Sequence, residues 1–145
     1  MKRLLKLVGV LCVVAATAGC AVNRATATVD PSTNLKAIKT VHVVKLDADG
    51  RGIDGLIADK LRTRGFSVST GSRPAGPLDA VVTYADRWMW DITMYMLELT
   101  VMVRDPKTEY PLATGNSFHT SLTRKSPVEM VDEVIENILK GGASK

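Results

Sequence analysis

Hydrophobic and polar positions change their period several times along the chain, and the changes mark the elements. Val41, Val43, Val44 and Leu46 form a short β-branched run closed by Asp47-Ala48-Asp49-Gly50, the pattern of a strand. From Ile53 the period becomes helical: Ile53, Leu56, Ile57 and Leu61 share a side opposite Asp54, Asp59, Lys60, Arg62 and Arg64. Gly65 suits the left-handed position that ends a helix, and Phe66–Thr70 begins a new strand. After a breaker-rich loop at 71–77, two long strands are expected over Asp79–Trp90 and Met94–Arg104, linked through Asp91-Ile92-Thr93. A turn at Asp105-Pro106-Lys107-Thr108 leads to another strand near Leu112–Thr123. The final helix is announced by Ser126, Pro127 and Glu129, an S-x-x-E capping box with proline at the first helical position. Val128, Val131, Val134, Ile135, Ile138 and Leu139 then share a face, and Gly141-Gly142 is expected to stop it.

The order is β-α-β-β-β-β-α. Each helix has one apolar stripe and must cover a sheet face, so the expected fold is an α+β two-layer sandwich. The sheet should be largely antiparallel, with both helices on one face. Strict alternation assigns Tyr95, Leu97, Leu99, Val101 and Val103 to the inner face, with Ala80, Val82 and Tyr84 beside them. Val81, Met89, Met94, Met96 and Met102 would then populate the open face. Four of the five methionines after Met1 lie between positions 89 and 102, the strongest internal pointer to a function.

The N-terminus has a pattern of its own. Lys2, Arg3 and Lys6 precede an apolar run from Leu7 to Ala16, too short for a spanning helix but suited to an export signal. Thr17-Ala18-Gly19-Cys20 follows. Ordinary cleavage after Ala16-Thr17-Ala18 is the competing reading. Residues 21–35, rich in Ala and Thr and lacking an apolar period, read as a flexible tether, with a strand through Ala25–Val29 as the alternative. The expected organisation is a signal peptide over 1–19, an anchored Cys20 with tether over 20–35, and one domain over 36–145.

The formal charge of +4 and the pI near 9.2 invite a nucleic-acid partner. Three of the nineteen basic residues belong to the signal, leaving sixteen against fifteen acidic ones. No basic domain remains, and no nucleic-acid partner is expected. The 145 residues are too few for a TIM barrel or a two-domain dinucleotide enzyme. Of the two cysteines, Cys12 lies inside the signal, so only Cys20 survives cleavage and no internal disulfide can form.

Catalytic and cofactor motifs are weak. Gly50-Arg51-Gly52-Ile53-Asp54-Gly55 is a literal G-x-G-x-x-G, but the next strand leads to Gly71-Ser72-Arg73 where a ribose-binding acid should stand. A calcium loop beginning at Asp47 would place Arg51 and Ala58 at ligand positions. His42 and His119 sit in strands, Asp86 and Asp91 flank the tryptophans, and no nucleophile elbow or zinc spacing is present. No enzyme activity, cofactor or metal is expected. The run Trp88-Met89-Trp90-Asp91-Ile92-Thr93-Met94-Tyr95-Met96 stands out. Trp88, Met89, Trp90, Met94, Met96 and Met102 are the expected partner-binding residues, since aromatic and Met side chains are enriched at interface cores. Thioethers also select Cu(I), so a site of Met94 and Met96 with a Trp and a His is the alternative; the run resembles periplasmic copper-binding proteins of that ligand set.

The segment ending at Cys20 resembles the lipobox of bacterial lipoproteins, although Thr17 stands where that family most often has Leu. The resemblance implies that Cys20 is acylated and becomes the N-terminus. Ala21 after it implies the outer membrane. Together with the Trp88-Met89-Trp90-Asp91 hairpin and the element order, the chain resembles small proteobacterial outer-membrane lipoproteins, including Burkholderia-type antigens. The order is also similar to that of lipoproteins assisting envelope assembly, such as activators of peptidoglycan synthases and lipopolysaccharide-transport partners. The implied role is non-enzymatic: an outer-membrane protein, held to membrane lipid through Cys20, that binds an envelope protein partner.

Overall fold

A computed structural model of the protein describes residues 23–72 and 76–143; the expected signal peptide and Cys20 lie outside them. The elements are β1 (Asn23–Val29), β2 (Thr40–Val44), α1 (Ile53–Thr63), β3 (Ser67–Gly71), β4 (Ala80–Asp91), β5 (Thr93–Arg104), β6 (Pro111–His119) and α2 (Pro127–Ala143). The strands form one sheet in the order β1-β6-β5-β4-β2-β3. From β1 to β4 neighbours are antiparallel, whereas β2 runs parallel to both β3 and β4. The fold is the expected α+β sandwich with a mixed sheet.

Both helices cover one sheet face. Ile53, Ile57 and Leu61 of α1 and Val131, Val134, Ile135 and Ile138 of α2 join Val41, Val43, Val82, Tyr84, Leu99 and Val101 in one buried cluster. Each such side chain contributes roughly 1.5–3 kcal/mol of apolar burial. Lys60 of α1 bridges Asp132 and Glu136 of α2 at 3.0 Å each, tying the helices side by side.

The helix ends follow the sequence signals with one exception. Phe66 N–H donates to the Leu61 carbonyl and Gly65 N–H to that of Arg62, a Schellman closure with Gly65 at φ 89°. At α2, Ser126 N–H donates to Glu129 Oε2 (2.8 Å) and Glu129 N–H to Ser126 Oγ (3.3 Å), completing the capping box. The expected stop at Gly141-Gly142 is corrected, because α2 continues to Ala143. A Cβ on Gly141 would come within 3.1 Å of Val29 Cγ2, so this glycine admits β1 against the helix. Inside the helix Met130 is buried and Val128 exposed, the reverse of what the stripe implied for Val128.

Two further expectations are corrected. Asn23–Val29 is no tether: it pairs with β6 from Asn23↔His119 to Val29↔Ala113. It is an edge strand with Ala27 and Val29 against the core, which leaves its apolar alternation faint. The single-parity assignment of β5 also fails. Arg87 pairs with Glu98 but Trp88 pairs with Met96, so Leu97 is the extra residue of a bulge. Beyond it the alternation inverts. Met96, assigned to the open face, is wholly buried in the core cluster, while Tyr95 and Leu97 are buried outside that cluster.

Candidate functional site: the β4–β5 hairpin end

The hairpin closes through one residue. Asp91 pairs with Thr93, and Ile92 between them has φ 61°. A β-branched side chain is disfavoured in that left-handed region. Ile92 is also 88% exposed, the most exposed of the large apolar side chains in the described residues. Trp90 (68%), Met94 and Met89 stand exposed beside it, and Leu122 (78%) is exposed on the 120–126 connection that runs to α2.

This connection is clamped to the hairpin. Arg124 Nη1 donates to Thr93 Oγ1 (2.7 Å), and its guanidinium lies 4.7 Å from the Tyr95 ring centroid. Trp88 turns inward instead: it packs against the core, donates its Nε1–H to Asp86, and carries Arg51 over its ring at 3.9 Å.

Of the expected partner-binding residues, Met89, Trp90 and Met94 therefore share an exposed end, and Trp88 supports it from within. Met96 is lost to the core, and Met102 lies half-buried on the open face next to Arg104, whose Nη2 is 3.2 Å from its sulfur. That open face is polar rather than Met-rich. Asn116 Nδ2 donates to Glu98 and Thr100 at 2.9 Å each, and Arg87 bridges Glu98 at 3.0 Å. Ile92 and Leu122 went unassigned in the sequence; an apolar residue at the centre of Asp91-Ile92-Thr93 was the available signal for the first.

The copper ligand set is split, with Met96 buried and Met94 outside. His42 holds Ser69 Oγ (2.9 Å) and the Gly71 carbonyl (3.1 Å) with its two ring nitrogens. His119 Nε2 donates to Glu133 Oε2 (2.7 Å), leaving its buried Nδ1 without a protein hydrogen bond. Glu133 also accepts from Ser117 Oγ (2.6 Å) and Lys125 Nζ. Burial alone would raise its pKa, but these three donors outweigh it and hold the carboxyl down at about 2. Among the described residues no cluster of three His, Cys, Asp or Glu could hold a metal.

The glycine-rich loop before α1 is occupied by its own acid. Asp49 Oδ1 accepts from the amides of Arg51 (2.8 Å) and Gly52 (2.9 Å), and Oδ2 from Asp54 N–H (3.2 Å) and the Tyr84 hydroxyl (2.6 Å). Burial would raise this carboxyl, yet the Tyr84 hydroxyl and the backbone amides lower it overall, while burial and the Asp49 charge push the Tyr84 hydroxyl up. Amides that a phosphate would need are thus already used. Among the described residues no helix is long and apolar enough to cross a membrane.

No family model and no curated protein matches the chain. Solved structures do. PelC from Paraburkholderia phytofirmans, described as a dodecamer, aligns with TM-score 0.56 at 15% identity over 86% of this chain and 99% of that one. A second crystal form, of a variant, gives 0.57 at 14% identity over 83% and 97%. TolB from Acinetobacter baumannii aligns with TM-score 0.50 at 16% identity, covering 83% of this chain and 31% of its own. At such identities the likeness concerns the fold.

Proposed function

We propose that this protein is a lipid-anchored, non-enzymatic component of the bacterial outer membrane, held through acylated Cys20, that works by contact through its hairpin end. The observation that carries the reading is the grouping of Met89, Trp90, Ile92 and Met94, all exposed, on one two-stranded projection. Soluble surfaces rarely gather apolar side chains this way unless something covers them. An envelope component covering this surface, of which the protein partner expected from the sequence is one form, would meet these residues and not Met96 or Met102. PelC, which shares the fold, is a dodecamer, so association between copies is one form such a contact takes.

The test is a photocrosslinking amino acid at position 90 or 94 in cells, with Thr100 on the polar sheet face as control. Capture of an envelope component at 90 and 94 well above the control is expected. Equal capture at all three positions overturns the assignment of the surface.

A further inference from the structure

The position of β1 decides what meets the hairpin end. Asn23 pairs with His119, and the neighbouring residue Phe118 pairs with Glu98 of β5, so the start of β1 lies level with Leu97. From there the hairpin runs on to Ile92, five residues further, or about 16 Å of strand. Cys20 stands three residues before Asn23, and three extended residues span at most about 10 Å. Acyl chains on Cys20 therefore enter a bilayer no farther from the domain than the hairpin itself projects. With the strands along the bilayer normal, an anchor at Cys20 brings the tip to the membrane too.

The chemistry of the end agrees. Trp90, Ile92 and Met94 are exposed on the hairpin and Leu122 on the connection that Arg124 ties to it through Thr93 and Tyr95. Tryptophan and arginine belong at the headgroup level and aliphatic side chains just below it. The turn adds a second, independent sign. A residue at φ 61° is best made Gly, Asn or Asp, and this chain instead holds an isoleucine there with its side chain in the open. That choice costs the isolated domain stability and gains it no burial.

We infer that the hairpin end, led by Trp90, Ile92 and Leu122, is seated in the interfacial layer of the same bilayer that holds the Cys20 lipid. The inference rests on the lipid-anchored reading above and names the occupant of its contact surface. It makes the protein a two-point membrane binder whose domain has one fixed orientation, with the α2 C-terminus and the 105–110 turn facing away from the lipid.

The test uses the full-length lipidated protein, with Trp88→Phe so that Trp90 is the sole tryptophan, in vesicles of equal parts phosphatidylethanolamine and phosphatidylglycerol. With brominated acyl chains in the vesicles, Trp90 emission is expected to fall by about half and to shift to shorter wavelength. Ile92→Asn is expected to raise the melting temperature and yet weaken vesicle binding of the unlipidated Cys20→Ser protein several-fold. Unquenched Trp90 in the lipidated protein overturns the inference, and protein crosslinks from position 90 in that case assign the surface to a protein. Mass spectrometry of the N-terminal peptide judges the anchor separately. A Cys20 without acyl groups sinks the anchored reading, whereas quenching of Trp90 in the same vesicles would still uphold the seated hairpin.

Discussion

Trp88 pairs with Met96 across the β4–β5 ladder one step after Arg87 pairs with Glu98, and this skip turns Met96 to the helix side, where Trp88 already lies by the unbroken alternation of β4. A run that alternates by residue number becomes two half-strands of opposite parity. The bulge thereby sorts the methionines into one buried (Met96), one on the polar face (Met102) and two at the exposed end (Met89 and Met94).

Met96→Ala is expected to cost about 2–4 kcal/mol, the ordinary penalty for emptying a buried Met site. Met102→Ala, on the half-buried face, is expected to cost less than about 1 kcal/mol. Chemical denaturation of the two variants checks the difference; equal losses would mean that the bulge does not hold in solution.

Gly115 lies directly under α2. A Cβ there would come within 2.8 Å of Val134 Cγ1 and 2.9 Å of Ile138 Cγ1, contacts that only a shift of these side chains or of the helix relieves. Gly115→Ala should destabilise by roughly 1–2 kcal/mol and Gly115→Val by roughly 3 or more. Thermal unfolding reads this directly, and a combined Gly115→Ala/Val134→Ala variant should recover part of the loss.

Glu133 gives the fold an acid sensitivity. Its carboxyl titrates at about 2 in the folded protein against an ordinary value of 4.5, so the unfolded chain binds the extra proton first. The stabilisation is complete above about pH 5 and is lost as pH falls toward about 2. Glu133→Gln should cost roughly 2–3 kcal/mol near neutrality, because Lys125 and His119 lose their carboxylate. The gap from the parent protein should narrow steadily on acidification, which urea midpoints across that range will show.

Asp49→Ala removes the acceptor of three backbone amides at the entry to α1 and leaves the Tyr84 hydroxyl without its carboxylate. A loss of about 2 kcal/mol is expected. Tyr84→Phe should cost less, since the amides keep their acceptor. Hydrogen exchange at Gly52 and Asp54 should quicken in the first variant and not in the second.

The sequence carried much of the fold and less of the site. Val41 and Val43, Val82 and Tyr84, and the stripe from Val131 to Ile138 announce their burial because each has a period that one face must satisfy. The Ser126–Glu129 box and Gly65 announce helix ends through hydrogen bonds made within a few residues. What escaped depends on distant partners. Leu97 becomes a bulge because of how β4 registers against it, and no local pattern encodes that. Asn23–Val29 becomes a strand because β6 offers it a partner, although only Ala27 and Val29 gain burial against the core. The hairpin methionines stand close together in the sequence, but parity alone does not say which of them reach the surface.

The pairing of β1 with β6 has a mechanical consequence. A pull on the chain ahead of Asn23 runs along the strand axis, so the rungs from Asn23↔His119 to Val29↔Ala113 are loaded together in shear. The first strand thus serves as a stay welded along its length, and a tug on the chain ahead of it is resisted by seven residue pairs acting at once rather than peeled away singly.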